Sequence, residues 1–459
     1  MPRLRRQWDG ANPDRNGYAA EKLSLFAHLP TNLRQVATNH QPPTTVFLGW
    51  TSTRRLRLMP VSLPADVVRY IVNEFRNDRP MLTTFATVGH AWYTPARAHH
   101  FSSATIRTLK KYVLFQRIIK ESPHLGPLVR VLHLHGIVKQ NHPAYTSAYE
   151  NFAQIIPLLT HVRELGLQTP EYIGWDNLPK AFTQSIATLL QLDSLSSLSL
   201  ENLGFASASS LQEFLQLPRH VRNLRIENIS NSENEDEMER PKPPAPGNIS
   251  RPKSGKLEKL CISSCDTAGI QDWLLREDCA LDLRTVREVD FKFANQYSSP
   301  RMVSQTLNLI GESLEKCSNV LFDIDEDYFD FTDNPNLKSL DIDVFLDTGN
   351  DPDIDLDNAF PYLESSITTL PSNNLLQTLN LHIYLWCAST GSSPEYFTCD
   401  SAWVELATSL SLASKFPCLE RVEIVWHSSL PKHTMQEETV RTAMQSLGSR
   451  LAFTLAPLP

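Results

Sequence analysis

The sequence predicts an α/β chain in which a small helical unit precedes an irregular solenoid of repeated strands and helices, bent into a horseshoe. Three observations carry this expectation. The phrase L-x-x-L-x-L returns about ten times beyond residue 128. Amphipathic helical stretches fall between its copies. Ahead of it, residues 61–101 hold apolar side chains at helical spacing, punctuated by prolines.

In the helical unit, Leu63-Pro64-Ala65-Asp66 leads into Val67, Val68, Ile71, Val72 and Phe75, which recur three and four apart. Pro64 falls at the first turn, where a missing N–H costs nothing. Pro80 is expected to break this helix. A second helix is expected to run from Leu82 through Phe85, Ala86, Val88 and Gly89 to Trp92, and a third to cover Pro95 to Phe101. Three short helices bury little surface unaided, so a partner or the next domain is expected to complete them.

The repeat strands are VRVLHL (Val129 to Leu134), VRELGL (Val162 to Leu167), LSSLSL (Leu195 to Leu200) and VRNLRI (Val221 to Ile226). LEKLCI (Leu257 to Ile262) and VREVDF (Val286 to Phe291) follow, then a degenerate strand at Val320 to Ile324. LKSLDI (Leu337 to Ile342), LQTLNL (Leu376 to Leu381) and LERVEI (Leu419 to Ile424) complete the set. This is the strand signature of leucine-rich repeats. One such strand cannot bury its inner face, whereas stacked copies build a continuous core. Helices are expected at Tyr149 to Leu159, Phe182 to Leu192, Leu211 to Leu215, Val303 to Leu314 and Trp403 to Leu412. Copies begin at 129, 162, 195, 221, 257 and 286, so the spacers are uneven, and loops absorb such variation cheaply.

The expected organisation is therefore a mostly disordered segment 1–59 with one short helical stretch at Ala20 to Phe26, the helical unit 60–105, a linker helix 106–128 and the repeats 129–456. Two insertions interrupt the repeats. Residues 231–256 are acidic and then proline-rich, the composition of a disordered surface loop, and 347–374 reads as an acidic loop.

The runs LPADVVRYIVNEF and LTTFATVGHAWYTPARAHHF resemble the F-box, whose usual shape is Leu-Pro, an acidic residue, a run of aliphatics, and Val-x-x-x-Trp. Leu63-Pro64, Val67-Val68, Ile71, Val88 and Trp92 occupy those places. Asp66 stands where Glu is commoner, and Gly89-His90 replaces a frequent Cys-Arg or Cys-Lys. Lys111 to Lys120 followed by Glu121-Ser122-Pro123-His124-Leu125 is similar to the continuation in fungal F-box proteins. The resemblance implies a substrate receptor of a Skp–cullin–F-box ubiquitin ligase, bound to the Skp adaptor through Leu63, Pro64, Val67, Val68, Ile71 and Trp92. Its partners would be that adaptor, the cullin-RING ligase and a protein target held by the repeats. The other reading is an interaction scaffold whose F-box works in no ligase.

Composition limits the alternatives. The 459 residues carry a formal charge of -8, the opposite of the basic footprint that nucleic-acid binding needs. No run of about eighteen apolar residues predicts a membrane span. The basic start is interrupted by Asp9, Asp14 and Glu21 and leads into no apolar stretch, so neither import nor secretion is expected, leaving the cytoplasm or nucleus. The 7 cysteines include no C-x-x-C pair, which suits reduced thiols better than disulfides or zinc. Asn228-Ile-Ser230 and Asn248-Ile-Ser250 match the glycosylation pattern, which means little without a signal peptide.

Catalytic, cofactor and metal sites are not expected. Asp353, Asp355, Asp357 and Glu364 have calcium-loop spacing, but Pro361 interrupts it and no helix leads into it, so a solvated acidic loop is the better reading. His99-His100 and His133-x-His135 lack a third ligand. The residues that alternate with the inward leucines are the better candidates. In order these are His133, Gly166, Ser199, Arg225, Cys261, Asp290, Asp323, Asp341, Asn380 and Glu423, with Glu288, Asp325 and Asp343 as outward neighbours. The later repeats thus predict a carboxylate ladder at Asp290, Asp323, Asp325, Asp341 and Asp343 that favours a basic target.

Overall fold

The computed structural model describes residues 63–135, 143–231, 254–263, 274, 279, 281–292, 300–322, 328–347, 356–386, 400–428 and 434–457. The segment 1–59, with its expected helix at Ala20 to Phe26, lies outside them. All of the architecture below belongs to one compact unit, Pro64–Pro459.

Three helices open it. In α1 (Ala65–Glu74), Val68 and Val72 lie one turn apart and are buried. Pro80 begins the second helix and does not break the first: it sits in the opening turn of α2 (Arg79–Val88), capped by Asp78, whose carboxylate accepts from the Met81 N–H at 3.1 Å. Gly89 divides α2 from α3 (His90–Ser102), so Trp92 belongs to the third helix and not the second. The rings of Phe75, Phe85 and Trp92 join the three, with centroids 5.6 and 5.1 Å apart.

The chain then enters the sheet earlier than expected. Ser103–Ile106, which follows the third expected helix and matches no expected strand, is β1, parallel to β2 (Val131–His135) with Ser103 opposite Val131. Between them run α4 (Leu109–Glu121) and a 3-10 turn (Pro123–Leu128). Gly126 in that turn is required by contact. A Cβ there would lie 2.3 Å from the Leu158 carbonyl oxygen.

From β2 the strands add in chain order. They are β3 (Glu164–Gly174), β4 (Ser197–Phe205), β5 (Asn223–Glu227), β8 (Lys259–Ser263), β10 (Glu288–Lys292), β11 (Lys316–Phe322), β12 (Ser339–Asp347), β13 (Thr378–Trp386), β14 (Arg421–Ser428) and β15 (Leu451–Pro457). Each pair along this path is parallel, so the fold is mixed α/β with one long parallel sheet. Short β6 (Ser230–Asn231) joins β4, while β7 (Ser254–Lys256) pairs with β9 (Leu281–Asp282). The ends of the 231–256 insertion are therefore strands; residues 232–253 lie outside the described ones.

Register explains why the repeats tolerate uneven spacers. Leu132, Leu165, Leu198, Leu224, Leu260, Val289, Cys317, Leu340, Leu379, Val422 and Leu451 form one row across the sheet. All but the last are essentially fully buried. At the strand starts from β3 to β14 on this path, one carbonyl accepts two N–H groups from the next unit. Arg130 accepts from Arg163 and Glu164 at 2.7 and 3.0 Å, and Arg163, Ser196, Arg222, Glu258, Arg287, Glu315, Lys338 and Gln377 repeat the pattern. Side chains reinforce the step: Ser194, Thr285 and Ser313 hydroxyls donate to the carbonyls of Val162, Leu257 and Val286.

Cys317 corrects the expected strand at Val320 to Ile324. The strand begins at Lys316, and the local phrase is Leu314-Glu315-Lys316-Cys317, with a thiol in the leucine row and a bulge before Val320. Burial pushes that thiol well above its usual range, with Asp341 and Asp290 adding to the shift, so it is a protonated apolar filler.

Helices α6 (Lys180–Leu190), α7 (Ala208–Leu215), α8 (Pro300–Ile310) and α10 (Asp400–Ser411) fall close to where they were expected, whereas α5 (Pro143–Ile155) begins well before the expected Tyr149 and ends before Leu159. Phe182 packs its ring against Tyr149 and Phe152 at 4.6 and 6.0 Å, tying α6 to α5. The acidic loop expected over 347–374 contains α9 (Leu356–Thr368). α11 (Thr434–Ala443) and β15 add a last unit that the leucine phrase does not announce. Among the described residues, no helix is long and apolar enough to cross a membrane.

Candidate interaction surfaces

The first surface is the outer side of α1. Neighbouring residues on a helix point about 100° apart, so Val67 and Val68 cannot share a role. Val68 is 1% exposed and belongs to the core, which corrects its place among the residues expected to contact a partner. Val67 is 42% exposed and Tyr70 68%, with Ile71 partly covered on the same side. Pro64 is exposed and Leu63 half-buried. Trp92 is half-buried against Phe85. Val88, at the end of α2, is exposed as well. Tyr70 was missed from sequence, although its position three residues after Val67 places it on the same helical face.

On α3, the Arg97 guanidinium lies over the rings of Tyr93 and Phe101 and donates to the Tyr93 hydroxyl at 2.7 Å. His99 is partly buried, which lowers its pKa, and nearby Arg76 lowers it further. His100 sets its ring edge-on to Phe101. The two histidines therefore have separate surroundings.

The second surface is the outward face of the sheet. Its central row runs Thr105, His133, Gly166, Ser199, Arg225, Cys261, Asp290, Ser318, Asp341, Asn380, Glu423 and Ala452. Ser318 stands opposite Asp290, the place expected for Asp323. Asp323 and Asp325 lie outside the described residues. Asp343 faces outward one row on, opposite His382.

Beside Asp290 and Asp341 the face also carries cations: in the neighbouring row Lys259, Glu288 and Lys316 alternate in sign. Lys259 donates to Glu288 at 2.9 Å, and that hydrogen bond holds its ammonium above the ordinary lysine range. Lys316 lies 3.9 Å from Asp341, which also accepts from the Asn380 amide at 2.5 Å. Lys259, Glu288, Asp290, Lys316, Ser318 and Asp341 line a shallow depression of about 210 Å³. Reading only one outward row concealed Lys259 and Lys316, which stand two residues earlier on their strands. Such exposed pairs contribute little stability individually, but they fix the pattern of charge a partner meets.

At the early end, His133 hydrogen-bonds Glu164 at 2.8 Å, which holds the Glu164 carboxyl below its ordinary value. Gly166 makes room for this: a Cβ there would lie 2.8 Å from His133 Cδ2. His135 bonds Gln168, whose amide in turn donates to Glu201. At the late end, Tyr384 stacks on His427 with ring centroids 4.4 Å apart, and His382 Nδ1 lies 3.4 Å from His427 Nε2. Burial pushes the Tyr384 phenol up, with Asp343 adding to it.

Among the described residues, no three His, Cys, Asp or Glu side chains converge as metal ligands. In the calcium-like stretch, Asp357 falls in α9, and Glu364 accepts from the Ser409 hydroxyl of α10. Asp353 and Asp355 lie outside the described residues. The two surfaces differ in chemistry: α1 presents an apolar strip, and the sheet presents paired charges and stacked rings. No protein-family model matches this chain, and no curated protein matches it either.

Proposed function

We propose that this chain is an F-box-type substrate receptor, with residues 63–102 binding the Skp adaptor of a Skp–cullin–F-box ubiquitin ligase. The strand–helix units beyond would form a leucine-rich-repeat solenoid, a horseshoe whose outward sheet face holds the protein target. The ligase would then act by proximity, since tethering raises the target's effective concentration at the transferring enzyme.

One observation carries this reading: α1 keeps Val67, Tyr70 and Ile71 on an outer strip, directly after Leu63-Pro64, while its other side completes a small core with Val68 and Val72. Apolar surface left in water gives up about 25 cal/mol per Å², which a partner would recover. Adaptor contact is therefore assigned to Leu63, Pro64, Val67, Tyr70 and Ile71, with Val68 and Trp92 acting through the core. On the sheet, Asp290, Asp341 and Asp343 remain candidate target contacts, now accompanied by Lys259 and Lys316. The target is accordingly a surface carrying both signs, with no single-sign basic patch required.

The test is copurification with a recombinant Skp adaptor. The full chain should retain it, and Leu63→Ala combined with Pro64→Ala should lose it while keeping the same circular dichroism melt. A full chain that fails to retain the adaptor would leave an interaction scaffold as the function.

A further inference from the structure

We propose that the outer face of α4 is a docking surface for an acidic amphipathic helix of a partner protein. The inference is independent of the ligase reading.

Between Arg107 and Glu121 the sequence places five cations, Arg107, Lys110, Lys111, Arg117 and Lys120, against the single carboxylate of Glu121. The whole chain is at -8, so this is an island of opposite sign. Among the described residues, each later helix carries at most one Lys or Arg, whereas α4 carries four.

The helix turns this charge outward. Tyr112, Gln116 and Ile119 are buried against the fold. On the opposite side, Val113 is 53% and Leu114 44% exposed, with Lys110 and Arg117 between and beside them at helical spacing. Lys120 donates to the Asn151 side chain at 3.2 Å. Arg107, Lys110, Lys111 and Arg117 make no ion pair among the described residues, whereas Lys259 and Lys316 on the sheet meet the chain's own carboxylates.

An aliphatic centre inside a rim of unpaired cations has the anatomy of a protein interface, with complementarity supplied by acidic side chains around an apolar stripe. The face is about 20 Å long at 1.5 Å per residue, the footprint of one helix. Anionic lipid would call for a broader apolar face with aromatic or several leucine side chains. A phosphate backbone would leave Val113 and Leu114 unused.

The test uses a synthetic helical peptide with leucine at helical spacing and glutamate elsewhere, followed by fluorescence anisotropy with the full chain. Binding should weaken by about tenfold or more in K110E/K111E/R117E, and also in V113S/L114S, roughly 1.4 kcal/mol in each case. Leu114→Gln, a single change at an exposed site, guards against misfolding and should weaken binding in the same direction. The inference is overturned if the peptide does not bind. It is equally overturned if V113S/L114S binds as well as the wild type, or if phosphatidylserine vesicles or duplex DNA bind more tightly than the peptide.

Discussion

In α1, Val68 and Val72 are buried while Val67 and Tyr70, each within two residues of them, face water. In β12, Leu340, Ile342 and Val344 are buried, and outward Asp341 is engaged by Asn380 and Lys316. The sheet engages its own neighbours on both faces: aliphatics meet the next aliphatic in the row, and Lys259–Glu288 and Lys316–Asp341 pair across strands. The helical unit satisfies one face and leaves the other apolar. The contrast teaches that the two regions are finished in different ways, the sheet by its own copies and, under our proposal, the helices by another protein.

Substitutions on either side of α1 break this comparison most sharply. Val68→Asp places a carboxylate in a site 1% exposed and should cost more than about 4 kcal/mol in urea unfolding. Val67→Asp, its sequence neighbour, should change stability by no more than about 0.5 kcal/mol yet abolish adaptor retention. Equal destabilisation by the two would mean that the outer strip is not a separate face. Next in size, Leu340→Ala removes a fully buried side chain flanked by strands on both sides and should cost about 2–5 kcal/mol.

A smaller effect tests the outward face. Gly166→Ala drives a methyl group into the His133 ring, which must move and give up its Glu164 bond; the expected cost is about 1–3 kcal/mol. A His133 imidazole resonance unchanged by the substitution would contradict the contact. The smallest effect is one of pH. The Glu164 carboxyl is held below its ordinary 4.5 by the His133 hydrogen bond. Its contribution is thus present above that value and lost as pH falls through the lower folded-state value. Glu164→Gln should remove this component, giving a shallower loss of urea midpoint below about pH 4.5. Identical acid limbs for the two proteins would show that the bond contributes nothing.

Most of the sheet was legible because period-two alternation and the leucine phrase report the same thing, a strand with one buried face. What escaped did so for particular reasons. Cys317 is apolar when buried but reads as a break in a leucine pattern, which shifts the expected strand past its true start at Lys316. Ser103–Ile106 has one aliphatic at its end and no leucine at all, yet β2 supplies the pairing that makes it a strand. α9 follows a run of aspartates whose composition suggested a loop, although Leu363 and Ile367 give it a buried side. In the candidate surfaces, residue positions along the strands were readable. Sign alternation was not, since it depends on which rows of adjacent strands come together.

The order of the strands has a consequence for how the molecule comes apart. Among the described residues, nearly every strand pairs only with the strands before and after it in the chain. Loosening should then begin where a neighbour is missing, at β15 or β1, and travel inward one unit at a time. Equal insults at Leu340 and at Leu451 would have unequal reach, because the first severs the array into two shortened halves and the second only trims its end.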